Sequence, residues 1–224
     1  MVDIVKIELD WLDMSINIKK SGCMRIGKRH MVPISNILID NKPVAVCTEF
    51  RYLGLYITAA KSFKLNMHQA KMKYFRSLNG ILGKIGSSDP INVVLSLVNS
   101  FATPVLLYGM ESAYIKHCDA KNLNYPYRSI YFKLFSTFNA EIIDQCQYYT
   151  GYLPLKYALN LRCLTFFKSL LSPPMNARPA GLLAKWFGFI DWDVNASEHN
   201  INYYDSSAAM KRKIWSKFMA DLNL

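Results

Sequence analysis

Beyond a short N-terminal amphipathic segment, the hydrophobic period of this chain changes near residue 60 from two to about 3.6 residues. Before that point, Ser21–Gly27, Ile37–Asp40, Pro43–Cys47 and Phe50–Ile57 are short β-branched or alternating runs separated by turn residues, the pattern of strands in a small sheet. Asp40-Asn41-Lys42-Pro43 reads as a hairpin loop, because Asn tolerates φ > 0 and Pro cannot pair inside a central strand. From Lys61 onward, Met67, Ala70, Tyr74, Leu78, Ile81 and Ile85 step by three and four, so they share one helical face. Such a chain is α+β. A short N-terminal helix over Asp3–Ser15 and a small antiparallel sheet precede a helical bundle.

Punctuation places the later helices. Gly86 reads as a stop, and Ser88-Asp89-Pro90 supplies an N-cap and a first-turn proline. Further helices are expected over 91–109, 119–138 and 155–171, with Asp119 as an N-cap and Pro126 either kinking its helix or starting it later. Ser172-Pro173-Pro174 ends the last of them. The expected division is 1–60, 61–172 and a tail, 173–224, in which Trp186, Phe187, Phe189, Ile190 and Trp192 are sticky enough to pack and Met210–Leu222 can close the fold as a helix. Pro90–Met110 carries no charge and is long enough to cross a bilayer, yet Asn92, Ser96, Asn99, Ser100, Thr103 and Pro104 interrupt it. It reads as a buried helix, and no membrane partner is expected. The first residues lack a signal-peptide pattern, so an intracellular location, nucleus or cytoplasm, is expected rather than secretion. Cys23, Cys47, Cys118, Cys146 and Cys163 are scattered, with no CxxC pair, which points to reduced thiols rather than a zinc site.

The charge balance, 27 − 16 = +11, argues for a polyanionic partner. Its placement is more informative than its total. Phe50–Ser88 holds seven basic residues (Arg51, Lys61, Lys64, Lys71, Lys73, Arg76, Lys84) and no acid, and Gln145–Ile190 holds five, again with no acid. On a helix, Lys64, His68 and Lys71 at i, i+4 and i+7 would share one edge beside the apolar stripe. Two readings fit: a solvated face, the ordinary place of helical lysines, or an edge laid along phosphates.

Catalytic constellations are scarce. Asp191-Trp192-Asp193 has the spacing to hold a divalent cation but suits a surface turn, and Asp10/Asp13 reads as the solvated side of the N-terminal helix. His30, His68, His117 and His199 form no Ser/His/Asp or Cys/His arrangement, and Gly83 and Gly86 belong to a helix end rather than a phosphate loop.

Three strings carry a resemblance. WLDMSINIKKSGCMRIG (Trp11–Gly27), FRYLGLYI (Phe50–Ile57) and PVLLYGME (Pro104–Glu111) occur in this order. They resemble, in turn, the "WL…lN..KS..M..G", "F.YLG..I" and "P.LLYG.E" blocks of LINE-type (non-LTR) retrotransposon reverse transcriptases. The similarity spans about residues 8 to 170. It implies that the first block is the end of the palm, with Lys20, ahead of Lys19, approaching the leaving pyrophosphate as a general acid or charge stabiliser. Without the resemblance, Lys20 is an exposed lysine before a strand.

By the same resemblance the second block is the primer grip, a β-hairpin in which Arg51, Tyr52 and Gly54 face the primer backbone, Gly54 by permitting close approach, while Leu53 and the apolar half belong to the core. The helices after Lys61 then correspond to the thumb, with Lys61, Lys64, His68 and Lys71 as phosphate contacts. The family holds two Mg²⁺ on an upstream aspartate and the paired aspartates of YxDD. This sequence contains no Asp-Asp pair. The expectation is therefore a palm-end-plus-thumb portion that binds an RNA–DNA template–primer duplex, holds no cofactor itself, needs Mg²⁺ only as part of a complete polymerase with its upstream segment, and is inactive alone. A retroelement remnant without selected binding, or a small basic RNA-binding or interaction module, is the alternative.

Overall fold

The computed structural model describes residues 2–39, 41–85, 90–112, 117–171 and 195–222. The fold is α+β and divides into two compact units, Met1–Met67 and His68–Leu224. In the first, α1 (Val2–Trp11) stops short of Ser15 because Asp13 takes a left-handed conformation, φ 52°. The Asp13 N–H then reaches the Asp10 carbonyl (3.1 Å) and the Met14 N–H the Leu9 carbonyl (2.9 Å), the paired bonds that close a helix C-terminus. A 3₁₀ turn, Ile18–Lys20, follows, capped by the Asn17 side chain.

The expected single antiparallel sheet is instead three small ones. β1 (Gly22–Cys23) pairs in parallel with β4 (Ala45–Val46), and β2 (Leu38–Ile39) pairs antiparallel with β3 (Lys42–Pro43) around Asn41 at φ 58°. β5 (Glu49–Tyr52), β6 (Leu55–Thr58) and β7 (Lys64–Leu65) form an antiparallel sheet in that order. Alternation specifies which segments are strands, but pairing depends on contacts distant in sequence. At Gly22 the decisive contact is steric: a Cβ there would lie 3.1 Å from the Phe50 ring and 3.2 Å from Cys47 Sγ. Among the described residues of this unit only Val44 and Leu65 are buried, while Ile4, Ile7 and Trp11, three, four and seven apart on α1, are exposed, Trp11 to 81%.

The second unit is helical. α2 (His68–Lys84) buries Tyr74 and Leu78, as the step of three and four requires. α3 (Ile91–Leu97) runs through a π-helical turn, Val98–Ala102, into α4 (Thr103–Leu106). The wider turn sits just ahead of Pro104, whose missing N–H and ring would disrupt a regular α-helix there. Ile91–Ser112 has a mean hydropathy of 1.6, enough by length and composition alone to cross a bilayer. Its Val94, Leu95, Val98, Ala102 and Leu106 are buried, and the stretch packs on α2 and α5.

α5 (His117–Phe135) continues through Pro126, which excludes a later start, and Asp119 falls in its first turn rather than at its cap. α6 (Ala140–Thr150) was not expected from periodicity. Asn139 caps it, and Gly151, at φ 77°, ends it with N–H bonds from Gly151 to Tyr148 and from Tyr152 to Gln147. α7 (Leu155–Leu171) matches its expected span. α8 (Ser207–Asp221) is no loose tail: Met210, Ile214 and Phe218 share a buried cluster with Leu153, Tyr157 and Leu164. Gly86, Ser88, Asp89, Ser172-Pro173-Pro174 and the aromatic stretch Trp186–Trp192 lie outside the described residues.

Candidate nucleic-acid interface

The hairpin β5–β6 pairs Phe50 with Ile57 and Arg51 with Tyr56. Its two-residue turn, Leu53-Gly54, has φ of 47° and 86°, as a type I′ turn demands. The turn geometry accounts for Gly54, and no close approach of a ligand is needed to explain it. Leu53 lies at the tip, 73% exposed, and is not a core residue. The Arg51 guanidinium sits 6.0 Å from the Tyr56 ring centroid. Tyr52 is exposed and, being the next strand residue, points to the opposite face. Arg51 and Tyr52 therefore project from opposite faces of the hairpin.

The expected edge of Lys64, His68 and Lys71 does not form. Lys64 lies on β7 opposite Thr58, and α2 begins only at His68. β7 interrupts the helical reading because its backbone pairs with β6 and Asn66 bonds both the Tyr56 carbonyl and the Glu49 carboxylate, at 2.7 and 2.6 Å. Lys61 is exposed in the bend before β7, His68 is exposed, and Lys71 is half-buried.

The cations that do share a face are Lys73, Arg76 and Lys84. At 100° per residue they fall within about 80° of arc, opposite the Tyr74–Leu78 stripe, and all three are exposed. Their spacing of three and eight was legible once the apolar stripe had been located. α2 contains no acidic residue, and among the described residues none of these three cations is in an ion pair. Five of the unit's seven described carboxylates are bound elsewhere: Asp144 to Arg128, Glu111 to Arg162 (3.1 Å), Glu198 to Lys156, Asp205 to Lys213 (2.7 Å) and Asp221 to Lys217 (3.3 Å). Each such pair cancels one carboxylate against one cation, so the unpaired Lys73, Arg76 and Lys84 set the local sign of the field along α2.

Lys20 ends the 3₁₀ turn with its side chain exposed and its N–H bonded to Asn17 Oδ1 (3.2 Å). Among the described residues no three His, Cys, Asp or Glu side chains gather where they would hold a metal ion. Asp10 and Asp13 are exposed, and Asp191 and Asp193 lie outside the described residues. Cys23, Cys47, Cys146 and Cys163 are free thiols. The strongest perturbations of proton affinity are in the core: burial pushes the Tyr74 hydroxyl up to about 12, and raises Tyr127 and Tyr131 as well. His199 is lowered, chiefly by burial.

The geometry defines a basic α+β chain with a cationic helix face and no assembled catalytic group among the described residues. No family model, curated protein or solved structure matches the chain.

Proposed function

We propose that this chain is the duplex-gripping, C-terminal portion of a non-LTR retrotransposon reverse transcriptase, with a β-hairpin ahead of a helical unit that holds the template–primer. The single observation that carries the reading is the acid-free exposed face of α2, with Lys73, Arg76 and Lys84 outside the ion pairs formed among the described residues. The three ordered sequence blocks direct that general affinity toward an RNA–DNA duplex. In this reading Lys20 donates a proton or charge to the departing pyrophosphate only within a complete polymerase that brings the Mg²⁺-binding aspartates. The charge-free helix is a core helix, and the protein works inside the cell, in nucleus or cytoplasm.

The test is equilibrium binding of the full chain to an RNA–DNA hybrid at increasing salt. Affinity should fall with a log–log slope of about one per phosphate contacted. Binding that is absent at low ionic strength, or indifferent to salt, overturns the reading. Nucleotide addition with Mg²⁺ and no added protein would overturn the claim that this chain is inactive alone. A second reading, a retroelement remnant, draws on the exposed Ile4, Ile7, Trp11, Met31 and Leu53 in the first unit. It requires that the purified chain aggregate rather than melt cooperatively.

A further inference from the structure

Met14–Ile39 carries five cations, Lys19, Lys20, Arg25, Lys28 and Arg29, and no acid. The structure gathers three of them at one turn. Gly27, at φ 128°, enters it, the His30 N–H reaches the Gly27 carbonyl (3.0 Å), and the Val32 N–H reaches the Arg29 carbonyl (3.0 Å). The Arg25 guanidinium closes the far end by donating to the Val32 carbonyl at 3.1 Å. A fourth cation comes from a distant segment. The Gly27 N–H bonds the Ala60 carbonyl at 2.9 Å, so Lys28 and Lys61 each lie one residue from the bond that docks the turn on the chain after β6. Lys28, Arg29 and Lys61 are exposed, and among the described residues none of the four cations is in an ion pair. Glu49, on β5 opposite Thr58, is the carboxylate of the neighbouring sheet, and it accepts from Asn66 at 2.6 Å. Even with Glu49 counted, three positive charges stand uncompensated. Met31, at the tip, is 84% exposed, and Val32 beside it 49%.

We propose that this turn is a second nucleic-acid contact, in which Lys28, Arg29 and Lys61 engage phosphates of the template–primer duplex and Met31 enters the groove between them. The proposal rests on the nucleic-acid reading above and adds to it a site in the first unit, separate from the α2 face. Charge and the size of the apolar tip choose the occupant. Uncompensated cations held together by backbone bonds attract a polyanion, and a duplex offers phosphate rows flanking a groove into which side chains such as Met insert. An anionic bilayer also sets phosphates over an apolar layer. There, however, even a single myristoyl chain gives only marginal binding, and Met31 with half of Val32 presents less apolar surface than that chain.

The experiment compares the full-length chain with its Lys28→Ala/Arg29→Ala/Lys61→Ala variant, each titrated with a fluorescein-labelled RNA–DNA hybrid over a salt series. The variant should lose about three from the log–log slope, one per phosphate released, and bind at least about tenfold more weakly at about 0.1 M salt. Its melting temperature should match the parent's, because the three side chains are exposed. Lys28→Arg/Arg29→Lys/Lys61→Arg, which keeps the charge, should keep the slope. Met31→Ser should weaken binding severalfold at an unchanged slope, since it removes no charge. An unchanged slope in the Ala variant overturns the turn as a phosphate site, and the parent's own salt-dependent binding then leaves the duplex reading intact. A parent chain that does not bind the hybrid defeats that reading and this proposal together. Unchanged affinity in Met31→Ser overturns the groove contact. Sedimentation of the parent with phosphatidylserine vesicles that both the Ala and the Met31→Ser variants lose overturns the choice of occupant. Displacement of the hybrid by polyglutamate at equal charge concentration does the same.

Discussion

Two glycines with opposite roles show how backbone conformation alone predicts the effect of the same substitution. Gly80 lies inside α2, and a Cβ there would meet nothing within 4 Å. Gly80→Ala should stabilise the protein by about 1 kcal/mol, because Ala loses less backbone freedom in a helix. The melting temperature should rise by roughly 3 °C. Gly151 also has open space for a Cβ, but its φ is +77°. Gly151→Ala should destabilise by about 1 kcal/mol, the cost of placing an L side chain in the left-handed region. Thermal melts of the two variants should move in opposite directions. Gly54 carries the same lesson for the hairpin: close approach and a tight turn both call for glycine, and only the φ of Leu53 and Gly54 tells them apart.

Helix faces carry the next predictions. Replacing Lys73 and Arg76 together by Ala should weaken duplex binding and reduce the salt slope by about two, one for each phosphate no longer engaged. Lys64→Ala, on β7, should reduce the slope less if α2 provides the phosphate-binding cations. Circular dichroism should show α2 intact, since neither replaced side chain lies on its buried stripe. In the α7–α8 region, His199 is 3% exposed, and its Nε2 lies 2.9 Å from Asn160 Nδ2, with the Tyr157 ring beside it. Burial favours the neutral ring. Glu198 and Asp221 oppose this, and Lys156 and Lys217 reinforce it, leaving the pKa below the usual 6.5. The unfolded chain then binds the proton first as pH falls, so stability is complete above about pH 6.5 and declines below it. Chemical denaturation at about pH 7 and pH 5 should show this loss in the parent chain and a smaller one in His199→Gln.

The two units differ in how much they bury. Val44 and Leu65 are the buried apolar residues described in the first, whereas the second buries Tyr74, Leu95, Leu106, Ile143, Leu164, Met210 and Ile214. Local opening costs little where it exposes little buried apolar surface. Hydrogen exchange of the intact chain should therefore be fast through α1 and the small sheets, and slow in α2, α5 and α7. Uniform protection across both units would show that the first is held by more than its own packing.

Periodicity and punctuation were enough to place α7 and α8 to within a few residues, to find the buried stripe of α2, and to mark the change from strands to helices. Those signals are local: a side chain at i constrains its neighbours at i+3 and i+4 whatever lies elsewhere. The hairpin at Leu53-Gly54 was expected only through the resemblance, since Phe50–Ile57 by itself reads as one run, and the turn at Leu53 was not foreseen. The parallel pairing of β1 with β4, the place of β7 on β6 and the docking of α8 on α7 were not legible. Each joins residues separated by intervening chain, and sequence spacing carries no distance across such a gap. The cationic site moved for the same reason. A helix can be inferred from its stripe, but where it starts depended on whether Lys64 and Leu65 found a strand to pair with, and they did.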